Sequence, residues 1–131
     1  PRRKTVANFI GDTDFLEGKV VGREGERVMV ETAIGRFEGI LGDPSAPPAI
    51  GTAVTLSIRP ECWSLGDARV ERNAVRGRIG ESVYLGEIAQ YDFLVGDVDL
   101  KIYELNPRHM GATKGELYAS VEPEDVVVLT A

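Results

Sequence analysis

The sequence predicts an all-β fold of two small β units in tandem, preceded by a short helix. Its 15 glycines and 7 prolines separate short segments of alternating apolar and polar residues, a pattern typical of strands joined by turns about every 8–12 residues. Two internal echoes divide the chain. Residues 16–20 (LEGKV) are echoed by 75–79 (VRGRI), and residues 51–61 (GTAVTLSIRPE) by 115–124 (GELYASVEPE). Each half therefore opens and closes alike, as expected of two similar units.

A short helix is predicted at residues 3–10. Its larger residues recur at helical spacing and stop before Gly11, a residue type that commonly ends helices. The recurring residues are Thr5, Val6, Phe9 and Ile10.

The first β unit is predicted to contain four strands, at residues 15–21, 26–32, 35–41 and 53–59. Alternation is clearest in the fourth, where Val54, Leu56 and Ile58 point to one face, as in a half-buried strand. Residues 42–49 contain three prolines and no apolar period, which predicts a surface loop.

The second β unit is predicted to follow a polar stretch at residues 66–74, which we take as the boundary between the units. Its five strands are predicted at residues 76–85, 88–96, 100–105, 117–121 and 126–129. The expected division is therefore residues 1–11 for the helix and linker, 12–66 for the first unit and 67–131 for the second.

Composition and charge exclude several classes of protein. A net charge of −6 and a pI of about 4.8 argue against a nucleic-acid binder, which needs Lys and Arg to neutralise phosphates. No apolar run approaches the roughly 20 residues of a membrane-spanning helix. Cys62 is a lone cysteine and cannot form an internal disulfide, and Cys62 and His109 alone cannot supply a Cys/His zinc site. This usage fits a reducing cytosol.

Catalytic motifs are missing from the sequence. It contains no phosphate-binding G-x-x-x-x-G-K-[ST] loop, no G-x-G-x-x-G after a strand and no G-x-S-x-G elbow. A hydrolytic triad would have to use His109, in a loop marked by Pro107, and we interpret this histidine as a solvated loop residue. The chain is predicted not to be an enzyme by itself and to hold no metal or cofactor.

Two pairs of residues with chemical potential have simpler structural interpretations. Cys62 and Trp63 follow a predicted strand, where a packed thiol and a core indole are expected rather than a reactive thiolate. Tyr91 and Phe93 share one face of a strand. Because the chain is acidic, core packing is favoured there over the stacking of nucleic-acid bases.

A carboxylate cluster lies near the end of the chain, at Glu122, Glu124 and Asp125. It could bind a hard cation, but Pro123 separates the first two residues. Solvated turn acids are the favoured interpretation.

Four segments in order carry a resemblance to a known family. Residues 6–18 (VANFIGDTDFLEG) join FIG to LEG through polar residues, residues 56–61 (LSIRPE) end in RPE, residues 83–87 (VYLGE) precede Tyr91, and residues 121–125 (VEPED) close the series. Together they resemble the transport-associated OB (TOBE) region that follows the nucleotide-binding domain of ABC importer ATPases. The Cys62–Trp63 pair and the proline-rich loop depart from the usual pattern and leave the subfamily open.

The resemblance implies two tandem OB-like barrels that act as an accessory and regulatory domain. The parent would be an ATPase that works as a dimer on two membrane permease subunits, at the cytoplasmic face of the plasma membrane. Residues 1–11 would end the linker from that ATPase domain. ATP and Mg²⁺ would bind there and not in this chain. Among the polyamine, ferric-iron and sugar importers, the polyamine type is preferred.

Arg59, Pro60 and Glu61 form the candidate interface or corner motif. Pro60 removes an amide donor and ends the strand, while Arg59 and Glu61 lie on one face and can pair with a partner at an edge. A strand end with a local ion pair is the competing interpretation.

Two other functions remain open. One is a freestanding OB-like protein that binds a small oxyanion, which would raise its melting temperature. The other is a single-stranded nucleic-acid binder that uses Tyr91 and Phe93. The basic start at residues 1–4, without an initiator Met, favours a segment of a longer protein.

Overall fold

A computed structural model describes residues 12–107 and 115–130, and the helix predicted at residues 3–10 lies outside these ranges. Ten strands and two 3₁₀ turns make up the described chain. The strands are β1 (Asp14–Glu24), β2 (Arg27–Thr32), β3 (Gly35–Leu41), β4 (Ala53–Ile58), β5 (Ser64–Gly66), β6 (Ala74–Leu85), β7 (Ile88–Val95), β8 (Val98–Leu105), β9 (Leu117–Ser120) and β10 (Val126–Leu129). The turns are Pro60–Cys62 and Pro123–Asp125. The all-β, tandem OB-like prediction is confirmed.

The first unit is a closed barrel in the order β1-β2-β3-β10-β4. The hairpins β1–β2 and β2–β3 are antiparallel, and β1 also pairs with β4. Closure comes from β10, which runs antiparallel to β4 and parallel to β3, where Val127 lies opposite Ile40. A closed barrel leaves no free strand edge.

The second unit is a five-stranded sheet in the order β5-β9-β6-β7-β8. This order repeats that of the barrel. The corresponding strands of the barrel, in the same order, are β10-β4-β1-β2-β3. Within the described residues, β5 and β8 are not paired with each other. β5 contains only three residues and ends where the polar stretch begins.

Strands are exchanged between the units, and here the structure differs from the expected division at residues 66 and 67. β5 follows β4 in the chain but pairs with β9, whereas β10 follows β9 but pairs with β4. Each exchange occurs at a 3₁₀ turn that begins with a buried proline, Pro60 or Pro123. The sequence predicts β10 as a strand but not β5, and a periodic pattern carries no information on the sheet that a strand joins.

Gly18 and Gly77 occupy equivalent positions in the two units, and the backbone of the neighbouring strand approaches both of them closely. A Cβ on Gly18 would lie 2.6 Å from the carbonyl oxygen of Glu31, and one on Gly77 would clash with the carbonyl oxygen of Leu94. The register also shifts in both copies, between Val20 and Gly22 in β1 and between Ile79 and Ser82 in β6. Equivalent bulges give both first strands the strong bend that a small barrel needs.

One hydrophobic core cluster extends through both units. Its largest fully buried side chains are Tyr91, Phe37, Phe93, Leu56, Ile58, Leu100 and Ile102. The predicted core positions of Tyr91 and Phe93 are therefore confirmed, which removes the exposed aromatic face needed for base stacking.

Candidate functional site at the junction of the two units

Two polar side chains are buried among the described residues, Asp14 and Asn73. Each lies two positions before the repeated segment of its unit, at residues 16–20 and 75–79. Asp14 and Asn73 are therefore equivalent in the repeat, and both lie where one unit meets the other.

Asp14 accepts hydrogen bonds from two donors. The indole Nε1 of Trp63 donates to one carboxylate oxygen at 2.9 Å, and the backbone N–H of Lys101 in β8 donates to the other at 2.8 Å. Burial raises the pKa of Asp14 from 3.8 to about 6, while the two hydrogen bonds oppose this rise. This carboxylate thus connects β1 both to the chain after the first turn and to the second unit.

Asn73 makes the reciprocal connection. Its side-chain oxygen accepts from the backbone N–H of Glu38 in β3 at 2.8 Å, and its amide nitrogen donates to the Glu38 carbonyl at 2.9 Å. An amide suits this position because it faces one donor and one acceptor, whereas Asp14 faces two donors.

Trp63 is a core residue of the junction, as predicted, with 4% of its surface exposed. Its ring meets that of Phe37 edge to face, with the ring centres 6.2 Å apart. Such a pair adds to the stabilisation from apolar burial. Trp63 therefore packs against β3 while it donates to Asp14.

No sequence motif marks Asp14 or Asn73 as a functional residue. The usable signal was their equal spacing from the two echoed segments, with a short polar side chain at the start of β1 and another immediately before β6. Their burial could not be read from this spacing, because their partners lie far away along the chain.

The candidate motif Arg59, Pro60 and Glu61 lies at the first turn. Pro60 is buried and starts the turn, and the Arg59 Nη1 and Glu61 Oε2 atoms are 3.9 Å apart, with both side chains more than half exposed. The turn packs beside β8. The structure thus brings the three residues together in an exposed corner with a local ion pair.

The second turn carries the echo of this motif, with Pro123 buried and the carboxylates of Glu122, Glu124 and Asp125 exposed. The Glu124 carboxylate accepts from Arg27 at 2.6 Å, and Arg27 also pairs with Glu38 at 3.3 Å. These acids occupy a surface turn, as favoured, and one of them contributes to an ion-pair network.

Cys62 is partly buried and packs against the core, as predicted for a packed thiol. Burial raises the pKa of its thiol, and the nearby Asp125 and Glu61 carboxylates add to this rise. A high thiol pKa disfavours the thiolate and therefore nucleophilic chemistry.

Open cavities on the described surface include the following. One of about 300 Å³ is lined by Cys62, Ser64 and Arg72, one of about 320 Å³ by Arg36, Arg69 and Arg72, and one of about 380 Å³ by Asp12, Gln90 and Tyr103, each with further residues.

No group of three His, Cys, Asp or Glu side chains in residues 12–107 and 115–130 could hold a metal ion. His109 lies outside the described residues. Within the same residues, no helix is long and apolar enough to cross a membrane.

Sequence comparison finds relatives among the ATP-binding subunits of spermidine/putrescine importers. The chain is 42% identical over 92 residues to the spermidine/putrescine import ATP-binding protein PotA of Rubrobacter xylanophilus, covering 70% of this chain and 24% of that protein. PotA of Pseudomonas fluorescens is 37% identical, with coverage of 74% and 25%, and PotA of Frankia alni is 32% identical, with coverage of 98% and 30%. The chain thus spans about a quarter of the length of these curated relatives. No protein-family model matches it.

Structural comparison finds the same architecture in ModG, described as a cytoplasmic molybdate-binding protein, in its molybdate-bound form. The TM-score is 0.74 over 90% of this chain and 96% of ModG, at 15% sequence identity. This likeness establishes a shared tandem OB-like fold. The sequence relatives and the fold agree with the order of the FIG–LEG, RPE, YLG and VEPED segments. The chain is therefore homologous to the C-terminal region of ABC importer ATP-binding subunits of the PotA kind, and its tandem OB-like fold is of the TOBE type.

Proposed function

We propose that this chain is the C-terminal accessory and regulatory domain of the ATP-binding subunit of a bacterial ABC importer of the polyamine type. The observation that carries the proposal is the 42% identity to a spermidine/putrescine import ATP-binding protein. The relatives named above share this description. In the parent protein, ATP and Mg²⁺ bind in an upstream domain, and this domain performs no chemistry.

The junction suits a domain that transmits force or holds a dimer together. Strand exchange places β5 and β10 in the opposite unit, and the Asp14 and Asn73 contacts connect each unit to the third strand of the other. Two units joined in this way move together, because their separation would break strand pairing and leave buried polar groups without partners. A rigid domain can then support association of two ATPase subunits.

The exposed corner at Arg59, Pro60 and Glu61 is the proposed contact with a neighbouring part of the transporter. Buried Pro60 fixes the turn, and the two charged side chains stand in solvent beside β8. Exposed ion pairs contribute little to stability, so these charges are available for recognition. The proposed partners are a second ATPase subunit and the membrane permeases.

The first test is the sequence of the natural protein. Intact mass and peptide sequencing should find a longer chain with a G-x-x-x-x-G-K-[ST] loop before residue 1. A natural chain that starts at residue 1 would contradict the proposal.

The second test is uptake of radiolabelled spermidine by cells that express the whole transporter. Uptake should be saturable and depend on the P-loop lysine of the longer protein.

A second candidate function is a freestanding binder of a small oxyanion, favoured by the fold shared with ModG. It predicts that molybdate or sulfate raises the melting temperature of the 131-residue chain, because a ligand that binds the native state stabilises it. The accessory-domain proposal predicts no such increase. Thermal unfolding with each anion therefore distinguishes the two.

A further inference from the structure

A cavity of about 320 Å³ lies between the polar stretch that joins the two units and the β2–β3 hairpin of the first unit. Three arginines line it, Arg36 from β3 and Arg69 and Arg72 from the polar stretch. We call it the arginine cavity. The whole chain has a net charge of −6, so three arginines around one cavity form a local exception to an acidic molecule.

Asn73 fixes the polar stretch beside β3. Its side chain makes two hydrogen bonds with the backbone of Glu38, and its own carbonyl accepts from the Val121 N–H at 3.2 Å. Arg72 directly precedes Asn73, and Arg36 lies two positions before Glu38, on the same side of β3. The arginines are thus brought together before any ligand arrives, which lowers the entropy cost of binding.

Two of the three guanidinium groups have unused hydrogen-bond donors. Arg69 is exposed and makes no hydrogen bond or ion pair with any described residue. Arg72 approaches the Glu38 carboxylate with its Nε at 3.7 Å, a distance too long for a hydrogen bond. The terminal amino groups of both arginines can therefore donate to a ligand.

The lining of the cavity keeps a positive charge. Two carboxylates, those of Glu38 and Glu71, face the three arginines. Pairs with residues outside the cavity offset each other, because Arg27 lies 3.3 Å from the Glu38 carboxylate and Glu31 lies 3.3 Å from the Nε of Arg36. An excess of one positive charge remains, which favours an anion over a cation.

The other lining residues favour an organic anion. Guanidinium groups bind carboxylate and phosphate oxygens through pairs of parallel hydrogen bonds. Val70 and Ile34 add apolar surface, and Val70 is 49% exposed, so a carbon skeleton can leave water there. A volume of about 320 Å³ is near the lower end of the range for small-molecule sites, roughly 300–1,000 Å³, which limits the ligand to a small one.

We propose that the arginine cavity binds a small organic anion with at least two carboxylate or phosphate groups. One group binds Arg69, and another binds Arg72 on the side that faces Arg36. The bound anion connects the polar stretch to β3 and so strengthens the attachment between the two units. This inference goes beyond the proposed function and does not depend on it, because all the binding groups belong to this chain.

Isothermal titration calorimetry of the 131-residue chain tests the proposal. The probes are citrate, which has only carboxylates, and phosphoenolpyruvate, which has a carboxylate and a phosphate. Ionic strength is kept constant because salt screens exposed charges. At least one probe should bind with a Kd below about 1 mM, and the tighter one shows which group the cavity prefers.

Acetate and sulfate are the control anions in the same titration. Each should bind at least about tenfold more weakly than the tighter probe, because each offers a single anionic group and so forms fewer charged hydrogen bonds. Two results would overturn the proposal. One is that neither probe binds more tightly than acetate, and the other is that sulfate binds as tightly as the better probe.

Paired substitutions show whether the arginines named above form the site. Arg69→Gln combined with Arg72→Gln should weaken binding of the tighter probe at least about tenfold. The matched control, Arg23→Gln combined with Arg78→Gln, removes the same charge from exposed arginines that do not line the cavity. Its affinity should stay within about twofold of the unaltered chain, because distant exposed charges are screened. Equal affinity of the two double variants would overturn the site.

NMR chemical shifts locate the bound probe independently of the variants. The backbone amide signals of residues 69–73 and of Arg36 should move as the tighter probe is added. Arg72 also lines the neighbouring cavity, together with Ser64 and Ser120. Shifts at Ser64 and Ser120 without a shift at Arg36 would place the anion in that cavity and overturn the proposal.

Discussion

Asp14 and Asn73 occupy equivalent positions in the two repeats, and each binds the backbone of the third strand of the other unit. Asp14 accepts from the Lys101 N–H in β8, and Asn73 forms a donor–acceptor pair with Glu38 in β3. The side chains differ because their partners differ. A carboxylate satisfies two donors, whereas an amide satisfies one donor and one acceptor.

Replacing Asn73 with alanine should destabilise the protein. Asn73→Ala leaves the N–H and C=O of Glu38 without their partner, at a cost of about 1–3 kcal/mol in the free energy of unfolding. Asn73→Asp should cost more at pH 7, because a carboxylate would face the Glu38 carbonyl oxygen, and less at pH 4, where a protonated carboxyl can donate. Urea unfolding of both variants at the two pH values measures this. Equal stability of Asn73→Ala and the unaltered chain would contradict it.

Asp14 should make stability depend on pH. Its native pKa of about 6 lies above the ordinary 3.8, so the native state holds a proton between these values and the unfolded state does not. The contribution of Asp14 is therefore largest below about pH 4, decreases as pH rises, and levels off above about pH 6. Asp14→Asn cannot titrate. The stability of the unaltered chain relative to Asp14→Asn should fall by about 2 kcal/mol from pH 4 to pH 7.

A constant difference between these two proteins from pH 4 to pH 7 would contradict the predicted environment of Asp14. Subtracting the stability of Asp14→Asn at each pH removes every contribution that the two proteins share.

Removal of the indole donor should raise the pKa of Asp14 further. Trp63→Phe keeps an aromatic ring against Phe37 but deletes the N–H that donates to the carboxylate at 2.9 Å. Loss of one hydrogen bond to a charged group should raise the pKa by about one pH unit. NMR titration of the Asp14 carboxyl carbon measures it directly. An unchanged or lower pKa would mean that the indole does not stabilise the charged form.

Glycine at position 77 should be required for packing between β6 and β7. Gly77→Ala places a methyl group against the Leu94 carbonyl oxygen and the Phe93 ring, and such overpacking costs about 1–3 kcal/mol or more. Gly66→Ala is the matched control, since its added methyl group would have no neighbour within 4 Å. Thermal unfolding should therefore separate the two variants clearly, and similar melting temperatures would refute the close approach.

The corner motif should affect association more than stability. The double variant Arg59→Ala and Glu61→Ala removes an exposed ion pair, which should change the free energy of unfolding by less than about 1 kcal/mol. Spermidine uptake by the whole transporter should fall severalfold if the corner contacts a partner. The control variant removes the exposed pair of Arg36 and Glu31 in the β2–β3 hairpin. Equal uptake by both double variants would refute an interface at the corner.

The candidate site was only partly predictable from sequence. The RPE segment was identified, and its proline does end a strand and start a turn. Asp14 was missed because its donors lie 49 and 87 residues away in the chain. No local pattern distinguishes a buried carboxylate with such partners from a solvated one.

Local sequence patterns are enough to place the strands, because alternation with a period of two and the positions of glycine and proline are local properties. The predicted strands agree with the observed ones to within a few residues, except that β5 was not predicted. The tertiary fold decides that β5 and β10 change places and that the described strands of the first unit close into a barrel while those of the second form a five-stranded sheet. It also decides that burial raises the pKa of Asp14 to about 6. Strand partners and burial arise from contacts between residues distant in the chain, which a periodic pattern does not encode.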